Sequence, residues 1–392
     1  MNMQEYRAHM DRIDAMMREK GIFLDQATGK PYFSGYSYTT LYDWDQYFES
    51  IVQLYLGWDT RLIRSGIEIF LDSQKESGHI SRSSLGEDVQ LSEHVKPFLA
   101  QISLLCWRKD GTLSFLTEDY YLRMKKYLLY WLTQRADAVR GLAFWDSAPH
   151  TGMDNQHMRA GWWRDCFCEG VDLNCYLIRE CRAFAKVAEL TGHPADAPVF
   201  EAHAARLTEA IQKNLWDEKD GFFYDIDRRT GEKLRVKSIG CFATLWAHVA
   251  SPEQAERLLK EHLQNEKEFL RPLPFPALSA DSEGYSEHNL PGDLGCCWRA
   301  NTWVPSDYFV FHGLLDYGYK AFAKSVADTL FQNVTEIGDR EWYNTESRTG
   351  SGQNPFWGWS LLAYFMPREA ELEFDPTSLP DGVSNPGIPV LR

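Results

Sequence analysis

The chain of 392 residues lacks most of the signatures by which a sequence declares its chemistry. It has no G-x-x-x-x-G-K-[ST] phosphate loop, no H-E-x-x-H and no G-x-S-x-G elbow. An NTPase, a zinc protease and a serine hydrolase are therefore not expected. "TGSGQ" (Thr349 to Gln353) reads as a flexible turn, not a nucleophile motif. Positive charge is in deficit, with 41 Lys and Arg against 56 Asp and Glu and a net charge of −15. That balance argues against nucleic acid or an anionic membrane as partner and for a neutral small-molecule substrate. No apolar run approaches the length of a membrane span. The opening "MNMQEYRAHMDRIDAMMREKG" is polar and periodic, so no export signal is read and a cytoplasmic location is expected. Eight cysteines are too thinly spread for a disulfide scaffold. Neither Cys166-x-Cys168 nor Cys296-Cys297 has paired C-x-x-C spacing with matching histidines. Buried, reduced thiols are expected, with no metal and no cofactor. Asn333-Val334-Thr335 fits a glycosylation sequon but, without an export signal, is read as chance. The oligomeric state is not legible.

What is present in excess is aromatic character: 14% of residues, including 14 Trp. Core packing absorbs much of it. Many of the indoles, however, fall in loops with Gly, Asp and Asn, where a flat apolar face suits a sugar ring and neighbouring polar groups fix its hydroxyls.

Helical periodicity dominates the chain. Leu173, Leu177, Cys181, Phe184 and Ala188 draw one stripe, and Phe200, Ala204, Leu207, Ile211 and Leu215 draw another. Similar patterns near 3–19, 45–57, 61–75, 93–107, 118–136, 238–249, 252–264, 303–317, 319–334 and 357–365 bring the total to roughly a dozen helices. "GIFLDQATGKPYF" and "DEKDGFFYDIDRRTGEKLRV" read as hairpins around Thr-Gly turns. No βαβ alternation and no Ser/Gly linker appears. The fold expected is all-α, a single (α/α)6 barrel over residues 1–392 with short hairpins in its loops. A helical solenoid is the alternative, but no fixed period is seen. Residues 367–392 carry five prolines and read as an irregular surface strap.

Three loop constellations gather acids among aromatics. "YDWDQYF" (Tyr42 to Phe48) places Trp44 and Asp45 at a helix start, where Asp45 is either an N-cap or a hydroxyl acceptor beside an indole. "SAPHTGMDNQHMRAGWW" holds one acid, Asp154, near His150, His157 and Trp162. "EWYNTESRTGSGQNPFWGW" carries Glu346 in a Gly/Thr/Ser loop flanked by Trp342, Trp357 and Trp359. A loop acid is by default solvated; the aromatic company is what raises Asp154 and Glu346 above that default.

Taken in order, these segments resemble the glycoside hydrolase clan of trehalases, processing mannosyl-oligosaccharide glucosidases and mannosylglycerate or glucosylglycerate hydrolases. "YDWDQYF" is similar to the W-D-x-x-F element, "TGMDN" to the G-[LM]-D-N acid loop, and "VDLNCYL" to the V-D-L-N helix start. "CWRANTWVPSDYFVFHGLLDYGY" resembles the W-R-G-x-x-W block and "TESRTG" the E-x-x-x-T-G base loop. The resemblance implies an (α/α)6 barrel and inverting hydrolysis of a small α-glucoside or α-mannoside. It implies Asp154 as general acid and Glu346 as general base. Tyr42, Trp44, Asp45, Phe48, Trp145, Asn155, Trp298, Arg299, Trp303, Trp357 and Trp359 are the implied substrate contacts. An isolated acid among glycines and indoles suits a carboxyl that must keep its proton.

The departures bear on the substrate. Gln156-His157-Met158-Arg159 stands where the family continues S/A-P-R, beside the leaving group, and Ala300 replaces the glycine of W-R-G. P-G-G-R-F and Q-W-D-Y-P-N-G-W, the trehalase signatures, are absent, which points away from trehalose. Arg159, Arg164 and Arg299 are candidates to pair with a substrate carboxylate such as glycerate. Asp172 and Asn174 read as helix caps, Lys96 as a neighbour of the pocket, and His150 and His157 as exposed loop histidines or aglycone contacts. A sugar epimerase, which would need a histidine pair, and a non-catalytic glycan-binding protein are the competing readings.

Overall fold

The structure is a computed structural model describing residues 3–35, 39–84, 93–161, 165–293, 295–379 and 385–392. The chain divides into two compact units, one of residues 1–134, 179–204 and 355–392, the other of residues 135–178 and 205–354.

The first unit is built from the helices Met3–Lys20, Asp43–Tyr55, Arg61–Asp72, Leu99–Asp110, Glu118–Thr133 and Leu362–Leu372, with parts of Val171–Leu190 and Ala197–Asn214. Their inner faces follow the apolar periodicity. Arg61–Asp72 buries Ile63, Ile67, Phe70 and Leu71, and Glu118–Thr133 buries Tyr121, Met124, Tyr127, Leu128 and Trp131. Thr117 starts the latter helix by accepting the Tyr120 amide. The hairpin expected near the start forms, with Ile22 opposite Phe33 and Leu24 opposite Pro31.

The second unit centres on helix Val304–Asp316, buried from Val304 to Leu314. It packs against Ala243–Trp246 and Lys320–Ile337. Trp246 and Phe309 meet at 4.1 Å between ring centroids, with Tyr176 against both. Each such buried aromatic is worth roughly 1.5–3 kcal/mol of transfer free energy. The predicted hairpin region forms two pairings, Trp216–Asp217 with Phe222–Phe223 and Ile226–Asp227 with Glu232–Lys233.

Three boundaries differ from the periodicity. The helix expected from residue 93 begins at Leu99, just beyond Pro97. The stretch 238–249 splits into a 3-10 turn, Ile239–Phe242, and one short helix, Ala243–Trp246. The last helix runs to Leu372 and carries Pro367 inside it, so irregular backbone starts after Leu372 rather than after Met366. Asn333 of the sequon is buried and accepts the Arg348 guanidinium, which leaves it no access to a glycan. Among the described residues no helix is long and apolar enough to cross a membrane.

Candidate active site

The acid loop is fixed from beneath. Ser147 caps the short helix Ala148–Thr151 by accepting the His150 amide. Arg159 lies wholly buried, ion-paired to Asp172 at 2.6 Å and to Asp225. Asp225 also accepts the Val171 amide at 2.7 Å and so caps helix Val171–Leu190 from outside. Arg159 is therefore a structural cation, and the expectation that it meets a substrate carboxylate fails: breaking such a buried pair costs about 3–5 kcal/mol. Asn174, expected as a cap, instead bonds the Ala143 amide and carbonyl at 2.8 and 3.0 Å. Asp172 accepts the Trp145 indole at 2.9 Å. His150, read as an exposed histidine or aglycone contact, is fully buried between Asp146 and the Trp145 ring.

On this base the loop presents Asp154 half-buried, its Oδ2 accepting the Cys296 amide at 3.0 Å. Both following side chains are locked. Asn155 accepts the Trp298 amide at 2.8 Å and donates to Asn289 at 2.9 Å. Gln156 donates to the Ala277 and Trp298 carbonyls at 2.9 and 2.7 Å. Gly295 (φ +75°) lies so close that a Cβ there would stand 2.6 Å from the Asp154 carboxylate.

The second acidic segment is a hairpin. Strand Trp342–Asn344 pairs with Gly350–Ser351 on one side and Asn301–Thr302 on the other. Its two glutamates lie at opposite ends. Glu341 is at the open end, only 4% exposed. Its Oε2 accepts the Gln353 amide at 2.9 Å and its Oε1 the Cys296 thiol at 3.4 Å. Gly352 (φ +72°) backs it, and a Cβ there would come within 2.5 Å of Oε2. Glu346 is at the tip, where Arg271 donates to both oxygens at 2.8 and 2.9 Å and Tyr285 to Oε1 at 2.7 Å. The Arg271 guanidinium holds the Glu346 carboxyl below its usual range. The carboxylate that shares a neighbour with Asp154 is thus Glu341, which the sequence reading passed over. Its signal was its place at the start of an aromatic strand rather than in the turn.

Three indoles stack behind this region: Trp298 on Trp303 at 3.8 Å and Trp303 on Trp342 at 4.8 Å. Both faces of Trp303 are occupied, and Trp145 and Asn155 are sealed from solvent. These three expected substrate contacts shape the site from behind in this conformation. Arg299 makes a bidentate pair with Asp293 at 3.0 and 2.8 Å. Among the described residues no three His, Cys, Asp or Glu side chains converge as metal ligands.

Tyr42, Trp44, Asp45, Phe48, Trp357 and Trp359 belong to the first unit. There Trp44, Phe48 and Trp359 form an edge-to-face cluster with centroids 6.0–6.5 Å apart. The helix starts at Asp43, so Asp45 lies in its first turn and is not the N-cap. Asp43 accepts the Trp44 and Lys96 amides at 2.8 Å each. Buried Lys96 pairs with Asp43 at 3.3 Å and sits over the Trp44 ring; burial lowers its pKa. Trp162 and Arg164 lie outside the described residues.

Comparison with known proteins sets this arrangement in context. Residues 38–360 match the family described as mannosylglycerate hydrolase MGH1-like glycoside hydrolase domain. A mannosylglycerate hydrolase from Rubrobacter radiotolerans is 28% identical over 201 residues, half of this chain. That match spans 44% of the relative's own length, less than half of it. The crystal structure of a mannosylglycerate hydrolase from Thermus thermophilus in complex with glucose superposes with a TM-score of 0.73. It is 18% identical, and the superposition covers 91% of this chain and 99% of that one. Neutral trehalase from Saccharomyces cerevisiae superposes with a TM-score of 0.67 at 18% identity, over 91% of this chain and 79% of that one. The fold is accordingly the all-α (α/α)6 barrel expected from the helical periodicity. The family match, which extends from just before the Trp44 helix to just beyond the Glu341 hairpin, makes the chain a member of the mannosylglycerate hydrolase MGH1-like glycoside hydrolase family.

Proposed function

We propose that the protein hydrolyses a small α-glycoside with inversion, with Asp154 as general acid and Glu341 as general base. The observation that carries this reading is that both carboxylates rest on one residue. Asp154 takes the Cys296 amide at 3.0 Å and Glu341 takes its thiol at 3.4 Å. The span from a cysteine's nitrogen to its sulfur is short, so the contacting oxygens stand at most about 10 Å apart. Inverting pairs need roughly 6.5–9.5 Å, enough for a water between them.

Asp154 passes its proton to the glycosidic oxygen as the bond from the anomeric carbon breaks. Glu341 takes a proton from the water that attacks the opposite face of the ring. The products are a β-configured free sugar and the protonated leaving group. Positioned proton transfer of this kind contributes about 10²–10⁴ in rate.

We assign the base to Glu341 rather than to Glu346, the base implied by the sequence motif, because the bidentate Arg271 cation lowers the basicity of Glu346, whereas Glu341 is held by a neutral amide and a neutral thiol. The named relatives, a mannosylglycerate hydrolase and a trehalase, support α-mannosides and α-glucosides as the class to assay. The test is an NMR time course on a panel of α-linked disaccharides and glycosylglycerates. A β-anomer as first product is expected. An α-anomer as first product contradicts inversion, and no turnover of any member removes the hydrolase reading.

A further inference from the structure

The acid loop continues into the wall of a cavity of about 570 Å³. His157 and Met158 line it from that loop, Gly284 and Arg299 from facing segments, and Arg235 and Lys237 from the chain after the second hairpin. A volume of this order houses a small ligand. Wall and acid loop share one carboxylate. Asp293 accepts the Asn155 amide group at 3.3 Å, lies 3.6 Å from His157 Nδ1 and holds Arg299 on both oxygens. On the reading above, which this inference rests on, the acid protonates the leaving group's oxygen. The leaving group on that reading lies beside the acid loop, whose His157 and Met158 line this cavity.

The charges around the cavity are already balanced, and more than balanced, by the chain. Arg235 pairs with Asp217 at 2.9 Å and Asp220 at 2.6 Å. Lys237 pairs with Glu268 at 2.5 Å and Asp281 at 3.0 Å. Arg299 pairs with Asp293 at 2.8 Å. Glu283 adds a further carboxylate to the lining. Burial and the nearby Arg299 hold the His157 pKa below its ordinary value, which keeps that imidazole neutral at pH 7. A carboxylate entering here meets three cations that are each committed and a surplus of like charge. Hydroxyl groups meet backbone carbonyls, carboxylates and the Met158 face without that conflict.

We propose that this cavity is a leaving-group site for a neutral polyhydroxy group, a second sugar or a polyol, and that it selects against an acidic one such as glycerate. The comparison that isolates the charge uses one glycosyl group on glycerol and on glycerate. The glycerol glycoside is expected to show at least a tenfold higher kcat/KM. Asp281→Asn, at an exposed position, removes one of the two carboxylates paired with Lys237, and Met158→Arg adds an uncommitted cation to the wall. Each is expected to move the ratio toward the glycerate by about tenfold.

Calorimetric titration of the wild type with glucose and with D-glycerate reads the same selectivity without turnover. The sugar is expected to bind more tightly, with the gap narrowed in both variants. An enzyme inert toward every α-glycoside that still shows this binding preference sinks the hydrolysis reading alone. Preference for the glycerate glycoside, tighter binding of glycerate, no binding of either, or a ratio unmoved by both variants overturns the proposal.

Discussion

Two glutamates of one hairpin, five positions apart, meet opposite environments. Glu341, at the open end, is buried and shares Cys296 with the acid loop. Glu346, at the tip, has about a third of its side chain exposed and is neutralised by a bidentate arginine. Composition cannot separate them, since both stand among the same Trp, Tyr, Thr and Gly residues. What separates them is the topology of the hairpin. Its open end is held by the Glu341–Gln353 pairing, while its tip is turned away toward Arg271 and Tyr285. A general base needs basicity, and a bidentate guanidinium lowers that of Glu346, whereas the donors to Glu341 are an uncharged amide and an uncharged thiol.

The sharpest way to break this comparison is to remove each carboxylate in turn. Asp154→Asn and Glu341→Gln are each expected to lower kcat by about 10³-fold while sugar binding by calorimetry persists. Azide is expected to restore part of the Glu341→Gln rate and yield the β-glycosyl azide. Glu346→Gln is expected to keep kcat within about threefold. It loses a partly exposed pair worth about 1 kcal/mol or less. Loss of turnover in Glu346→Gln with a healthy Glu341→Gln enzyme would reverse the assignment.

A smaller effect sharpens the geometry. Gly295→Ala puts a methyl 2.6 Å from the Asp154 carboxylate at φ +75°, and Gly352→Ala puts one 2.5 Å from Glu341 at φ +72°. Either displaces one carboxylate without removing it. A shift near 1 Å is worth about 10²-fold in rate, so a kcat loss of that order with little change in KM is expected for each. Wild-type kcat in both variants would show that neither glycine sets the gap.

The helices were legible because their burial follows a period that apolar side chains write directly into the sequence, as in Ile63, Ile67 and Phe70. The hairpins were legible from their Thr-Gly turns. Asp154, the proposed acid, could be singled out from the sequence because it is the single acid of its loop. Glu341, the base we propose, could not, because choosing between two acids of one segment depends on which end of a hairpin faces the acid loop, and that is a tertiary fact. Arg159 and His150 misled for a related reason. Arg159 looks exposed until its buried partners Asp172 and Asp225 come to it from distant positions, and His150 until the loop folds its ring onto Asp146, four residues back. Trp145 and Trp303 were substrate contacts implied by the family resemblance; in the structure the buried Trp145 ring meets His150 edge-to-face and Trp303 stacks against Trp298 and Trp342.

The mildest expected effect concerns a buried carboxyl of the first unit. Glu180, fully buried in the first unit, faces the start of helix Leu99–Asp110 and accepts the Ala100 amide at 2.6 Å and the Gln101 amide at 3.2 Å, with Tyr127 also donating to it. Burial outweighs these donors and raises its pKa from 4.5 to about 7. A carboxyl whose folded pKa lies above its unfolded one retains a proton that the unfolded chain has released. Its contribution to stability is therefore greatest below about pH 4.5 and declines as pH rises toward 7, by up to the order of 3 kcal/mol. Glu180→Gln removes that titration. Urea midpoints measured at pH 4.5, 6 and 8 should then fall less steeply with pH in the variant than in the wild type, whatever the variant's absolute stability, and an unchanged slope would assign the pH dependence to other buried carboxyls such as Glu49 and Asp307.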